Sequence, residues 1–305
     1  MNLLFACFWL IFKPRYCFVS LLAIVIGWGF VVRYVQFKGK ESEKGEIKVI
    51  SYNVKYFIAD GTKKQKENAN EIIRFLEEQH ADIICLQEAR LRKKNIFDLP
   101  GTVKDLKSIR HYQYARTSTT YGSVTMTRFP ILKMGEIRFE KSNNMTIYTD
   151  VFTGYDTIRI FNVHLQSYQI DPSKYSIIDS LGVNQEKDLK EVRDMSIKFK
   201  KAFQLRAAQA RELRKYIDES PYEVIVCGDF NDTPVSFAYQ KLRGNDLTDA
   251  FINSGKGVGR TYIGKLPSYR IDNIFHSDIF DSYNFKTYDF YMSDHLPISC
   301  ELVRK

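Results

Sequence analysis

The sequence predicts an α/β domain in which sheet layers pack under helices, carried behind an N-terminal transmembrane helix. Three observations predict it. Short β-type runs alternate with helix-period segments from residue 46 onward, and several runs are continuously apolar, as strands covered on both faces are. Residues 16–32 carry no formal charge between Arg15 and Arg33. At 305 residues and 44% apolar content, with only 16 Gly and 8 Pro, the chain is neither a disordered tail nor a collagenous or linker-like sequence. Its length suits two average domains or one large α/β domain. Five cysteines, an odd number without C-x-x-C spacing, exclude a disulfide scaffold. Cys85, Cys227 and Cys300 sit in apolar runs and read as small buried hydrophobes.

The first element is the apolar run YCFVSLLAIVIGWGFVV at 16–32. A bilayer core of ~30 Å needs about 20 helical residues, with ~17 at the short end, so this run spans if Arg33 snorkels and its Tyr and Trp rings sit near an interface. A cleaved signal peptide fits less well, because no small-x-small site follows and the hydrophobic stretch 1–12 precedes the charges. The sequence thus divides into an anchor at 1–37 (span 16–32), a charged linker at 38–45 and a soluble domain at 46–305. Residues 1–44 hold six cations against two acids, leaving a mild balance elsewhere in a chain of net charge +9. That gives weak attraction to polyanions and no more. Lys13 and Arg15 flank one end of the span and Arg33, Lys38, Lys40 and Lys44 the other, so the positive-inside rule leans toward a cytoplasmic domain.

Within the domain, IKVISYN, ADIICLQ, GSVTMT, TIRIFNVHL, YEVIVCGDF, YRIDNIFHS and HLPISCEL read as strands. Residues 65–79 and 186–219 carry helical spacing; in the second, Leu189, Val192, Phe199, Phe203, Leu213 and Tyr216 recur near steps of three and four. No repeat or low-complexity block interrupts them.

Five of the strand runs end in groups that bind hard cations or move protons: Asn53, Glu88, His164, Asp229 with Asn231, and Asp294 with His295. Carboxylate and amide oxygens suit Mg²⁺ or Mn²⁺, and a strand end aims them rigidly. Each has a plain structural alternative. Asn53 can cap a turn, Glu88 can be a solvated charge before Arg90, Arg92, Lys93 and Lys94, Asp229 and Asn231 can form an Asx-turn before Pro234, and Asp272 can pair with Arg270. Packing alone gives little reason for all of them in this order.

SYNV, LQE, NVHL, GDFND, RIDNIF and SDHLPI, with GSVTMTRFPI at 122–131, together resemble the endonuclease/exonuclease/phosphatase superfamily of metal-dependent phosphoesterases, in its deoxyribonuclease-like and sphingomyelinase-like branches. The resemblance covers nearly all of residues 47–303 and implies a four-layer α/β sandwich with two mixed sheets, here in a membrane-anchored bacterial-type member at an inner membrane. It implies Mg²⁺ or Mn²⁺ held by Asn53, Glu88 and Asp294, with His164, Asp229, Asn231, Asp272 and His295 as the catalytic set. In that set His164 protonates the leaving oxygen, His295 activates or orients water, Asp272 fixes a histidine tautomer, and Asp229 with Asn231 orients the nucleophile. Lys55 stands where some nuclease members carry an acidic ligand, which puts a second metal in doubt.

The function so implied is divalent-metal-dependent hydrolysis of a phosphoester, nuclease-like first, with a phospholipid headgroup as the alternative substrate and a non-catalytic scaffold as the third reading. The expected partners are that substrate and the bilayer, with no protein partner. The segment 167–202 could form a lid or a solvated excursion, and the cations of 90–94 could track a polyanion or none.

Overall fold

A computed structural model describes residues 1–43, 45–58, 64–91, 96–168, 185–264 and 269–305, with side chains from 192 onward in the helix that begins at 185. The first sheet takes β2 (Ile47–Asn53), β3 (Ile83–Arg90), β4 (His111–Arg116), β5 (Tyr121–Thr127), β13 (Phe280–Thr287) and β14 (Ile298–Arg304) in the order β13-β14-β2-β3-β5-β4. The second takes β6 (Ile131–Arg138), β7 (Met145–Phe152), β8 (Thr157–His164), β9 (Glu223–Asp229), β10 (Leu247–Asp249) and β12 (Asp272–Ser277) in the order β10-β12-β9-β8-β7-β6. Each sheet is mixed and holds one parallel pair near its centre, β2 with β3 and β8 with β9, the other pairs being antiparallel.

Period-two alternation then sorts the side chains. Val49, Ile83, Cys85, Ile160, Ile225, Cys227, Ile274 and Cys300 face the space between the sheets and form its dry core, so the three cysteines are buried and free. On the outer face of the first sheet, Ile50, Tyr52 and Leu86 pack against Ile72, Phe75 and Leu76 of α3 (Gln65–Glu78), with Leu99 and Val103 of α4 (Leu99–Asp105) beside them. On the outer face of the second, Phe161, Val163 and Val226 pack against Ala210, Leu213 and Ile217 of α5 (Gln185–Asp218) and Leu242 of α6 (Phe237–Arg243). Helix, sheet, sheet, helix: the four layers agree with the expectation.

The seven predicted runs are all strands, but β4, β6, β7, β10 and β13 carry signals the sequence reading passed over. Four of these five are the sheet edges. An edge strand is solvated on one side, so polar residues dilute its pattern, as in the mostly exposed β6.

The N-terminal segment forms α1 (Asn2–Phe12) and α2 (Pro14–Val31), broken at Lys13, with Pro14 at the first position of the second helix, where its missing N–H costs nothing. Stretch 38–43 runs along the domain as a strap. Lys40 N donates to Ser254 O at 3.2 Å, Ser42 N to Asn284 Oδ1 at 3.1 Å, and the Lys40 ammonium pairs with Asp281. Just before it, β1 (Val35–Gln36) pairs with β11 (Gly257–Val258).

Candidate active site

The inner faces of both sheets turn from apolar to polar toward one edge. Level with Cys85 and Cys227 of the dry core stand their strand partners Ser51 and Asn162; two residues further out come Gln87 with Asn53, and Asp229 with His164 and Asp272, all buried. Gln87 Nε2 donates to Asn162 Oδ1 at 2.8 Å across the sheets, and Asn162 Nδ2 donates to Val124 O at 2.8 Å and Leu86 O at 3.2 Å. This bridge forms a hydrogen-bonded floor under the site.

Strict alternation would point Glu88 away from Gln87. A register shift between Leu86 and Ala89, with Glu88 at φ +54°, re-aims it into the site. A left-handed carboxylate at a bulge is the kind of strain held where geometry matters. Gly228 serves the same end on β9: a Cβ there would lie 2.0 Å from Val163 O, so only glycine lets β9 approach β8 just before Asp229.

Asp229 is the hub. Its Oδ1 accepts from Asn231 N at 2.7 Å, while its Oδ2 accepts from Asn53 Nδ2 at 2.9 Å and Asn231 Nδ2 at 3.0 Å. The same Oδ2 lies 3.8 Å from His164 Nε2 and 3.7 Å from His295 Nε2. His164 Nε2 is 3.4 Å from Glu88 Oε1, and His295 Nδ1 meets Asp272 Oδ2 at 2.9 Å. The Asx-turn read as a bland alternative is present, and it positions Asp229 and Asn231 together. Arg270 takes Asp249 at 2.7 Å, so its pairing with Asp272 does not form and Asp272 belongs to His295.

Charge in this enclosure is unevenly distributed. Burial raises the Glu88 carboxyl to about 7, with the His295 charge opposing and Asp229 and Asp294 adding to the rise. Burial likewise raises Asp229. His164 is lowered to about 4 by burial, so it is neutral at pH 7. His295 is equally buried, but the Asp272 and Asp229 carboxylates outweigh that and raise it to about 10.

All eight predicted site residues therefore converge, Asp294 at the rim. Its carboxylate is already held by Lys55 Nζ at 2.7 Å; among the described residues Asp229, Asp272 and His295 bring their donor atoms within 4.8 Å of one another, a trio closed on itself by the His295–Asp272 bond. The sequence reading passed over Lys55 as a counter-ion, the Gln87–Asn162 floor, and Arg206. The last is fully buried and donates to Asp232 Oδ2 at 3.0 Å and Gln166 O at 2.8 Å, tying α5 to the loop after β9. GDFND ends in that Asp232, the signal that could have prompted a search for its cation. The proposed lid and the cations at 92–94 fall largely outside the described residues; Arg90 ends β3, and residues 192–202 belong to α5.

The profile of the endonuclease/exonuclease/phosphatase family matches residues 50–295. The chain belongs to that family. Solved structures of the same fold include truncated Caenorhabditis elegans TDP2 (16% identity, TM-score 0.57, covering 84% of this chain and 97% of that one). An endonuclease/exonuclease/phosphatase family protein from Leptotrichia buccalis has 15% identity and a TM-score of 0.58, covering 84% and 99%. The human Nocturnin catalytic domain with bound sulfate has 16% and 0.58, covering 85% and 94%. At such identities they speak for the fold alone. No curated protein matches the sequence. Residues 1–34 match a second profile, a domain of unknown function (DUF8431), which takes in both apolar helices and ends three residues past α2. Among the described residues, Pro14–Val31 is the one helix long and apolar enough to cross a membrane.

Proposed function

We infer that this endonuclease/exonuclease/phosphatase family member is a membrane-anchored hydrolase of phosphodiesters that requires Mg²⁺ or Mn²⁺. The observation that carries the reading is a buried excess of negative charge. Glu88, Asp229 and Asp272 converge, and among the described residues no Lys or Arg pairs with any of them. Among the described residues, Asp272 Oδ1 and His164 Nε2 are buried without hydrogen-bond partners. Such groups require a cation, and hard oxygens favour a divalent one. Glu88 and Asn53 would hold it, with Asp294 at the rim; bound there, the ion would neutralise charge on the phosphoryl oxygens.

The chain's own groups divide the remaining work. Asp229, fixed by three hydrogen bonds and raised by burial, orients the attacking water and takes its proton. His295, held charged by Asp272, donates to a phosphoryl oxygen; this reassigns to Asp229 the water-activating role that the resemblance gave His295. Neutral His164 faces the leaving oxygen with Nε2, and Asn231, whose amide donates to Leu165 O at 2.9 Å and to Asp229 Oδ2 at 3.0 Å, holds Asp229 in position. The anchor reading rests on α2, whose 18 residues give about 27 Å of helix against a core of ~30 Å.

The test is hydrolysis of bis(4-nitrophenyl) phosphate by the full chain with Mg²⁺, Mn²⁺ or EDTA. Metal-dependent release of nitrophenol, lost in Glu88→Gln, is expected; release that persists in EDTA or in the variant defeats the metal assignment.

A further inference from the structure

Two separate stretches of chain tie the end of the apolar helix to the active site. Arg33, at the C-terminal end of α2, donates from Nη1 to Pro234 O at 3.2 Å, and Pro234 stands three residues after Asn231 in the loop that follows β9. Val35 pairs with Val258, Gly259 N donates to Tyr34 O at 2.8 Å, and four residues beyond Val258 the backbone of Tyr262 bridges to His295. An extended chain covers at most ~3.6 Å per residue, so Asn231 lies within about 11 Å of Pro234 and Tyr262 within about 15 Å of Val258. A headgroup layer is roughly 5–7 Å thick on each side of the core. The catalytic groups thus stand within about two headgroup layers of the contacts made by the end of α2.

The surface at that end has the chemistry of a membrane interface. Val235 is 46%, Phe237 50%, Val258 68% and Phe37 71% exposed, on three segments that the Arg33 and Val35 contacts bring to the same level as the helix end. Phe37 stacks on Trp28 of α2, with ring centroids 6.3 Å apart, in the manner of an aromatic belt. Exposed cations accompany the apolar groups: Arg260 and Lys256 flank Val258, and Arg211 lies over the Phe237 ring at 4.6 Å. Apolar side chains backed by cations suit the boundary between acyl chains and anionic headgroups.

Resting on the hydrolase reading above, the geometry points to an active site that opens against the bilayer, with the loop Val235–Phe237 and the β11 turn seated in the headgroup layer and a phospholipid headgroup diester as substrate. In that reaction water adds to phosphorus, the bond from phosphorus to the leaving alcohol oxygen breaks, and that oxygen takes a proton. The products are a phosphomonoester and an alcohol. The occupant of this surface is lipid because the surface is continuous with a helix sized for a membrane.

The test reconstitutes the full chain into vesicles of phosphatidylcholine, phosphatidylglycerol and sphingomyelin, with Mg²⁺ or Mn²⁺. Headgroup release, cleavage of bis(4-nitrophenyl) phosphate and cleavage of plasmid DNA are measured in parallel. Lipid hydrolysis is expected to exceed DNA hydrolysis, and Val235→Asp/Phe237→Asp is expected to lower it by about tenfold or more while soluble-diester cleavage stays within about twofold. Soluble-diester cleavage without lipid hydrolysis, faster cleavage of DNA, or full lipid activity in the double variant overturns the interfacial inference and leaves the hydrolase reading standing. Inactivity on every diester overturns both. Independently of turnover, an NBD dye on Val235→Cys in a Cys7→Ser background is expected to be quenched by doxyl-labelled lipid; an unquenched dye places the loop in water and also overturns the inference.

Discussion

Removing the Asp249 carboxylate should unfold the protein many degrees earlier, because it strands a buried guanidinium. Arg270 is fully buried and directs Nη1 and Nη2 to Asp249 at 3.0 and 2.7 Å; among the described residues its other side-chain hydrogen bond goes to Tyr239 Oη at 3.3 Å, and the Phe251 ring lies 4.8 Å from it. Asp249 also accepts from Tyr239 Oη and, as the N-cap of α7 (Ala250–Ser254), from Phe251 N at 2.9 Å. Breaking a buried pair by deleting one partner costs about 3–5 kcal/mol, and losing the cap adds ~1 kcal/mol. At about 2–4 °C per kcal/mol for a domain of this size, Asp249→Ala should lower Tm by roughly 10–20 °C. Arg270→Met should cost less, since Asp249 keeps a hydroxyl and backbone donors. The double variant Asp249→Ala/Arg270→Met should be more stable than Asp249→Ala alone. Thermal unfolding of the full chain in mild detergent, followed by near-ultraviolet circular dichroism, measures all three. If the double variant loses the sum of the two single costs, the stranded charge is not the cause and the reasoning fails. Because Arg270 anchors the segment whose Ile271 and Asp272 N–H groups bond Thr261 Oγ1, aim of Asp272 at His295 should deteriorate in the same order.

Glu88→Gln should abolish the rise in Tm that millimolar Mg²⁺ or Mn²⁺ gives the native chain, a shift readable by differential scanning fluorimetry without any substrate. Asp272→Asn, which keeps the shape but removes the charge facing His295 Nδ1, should lower kcat by about 10²–10⁴ with Tm little changed; a mere KM effect would contradict the positioning role. Asn162→Leu, which strands Gln87 and two carbonyls beneath the site, should cost about 2–4 kcal/mol in the same unfolding assay. His276, fully buried with Nδ1 donating to Ser277 O and Nε2 unpartnered, is held neutral by burial, which lowers its pKa from 6.5. The unfolded chain then binds the extra proton, so stability should fall as pH drops below about 6.5, and His276→Leu should flatten that slope between pH 7.5 and 5.

The sequence made the central strands legible because both their faces are covered and their apolar runs are uninterrupted, as in VIVCG before Asp229. It hid the edges, where β4, β6 and β13 mix charge into the pattern. Of the site, every residue named from the motifs reaches the common cleft. What no motif carries is partnership. Whether Asp272 serves His295 or Arg270 turns on Asp249, a residue 23 positions away that claims the arginine. Lys55 lies two residues from Asn53, yet only the fold turns its ammonium to Asp294, more than two hundred residues on.

By itself, then, the sequence determined which side chains meet in the candidate site and that an apolar helix precedes the domain, since residue type, period and run length are local properties of the chain. The tertiary structure alone decided which partners each group meets and in which direction burial and those partners shift its charge. Burial and the contacts of Asp229, Asp272 and Arg33 with distant residues set these, and they exist only once both sheets and the strap have come together.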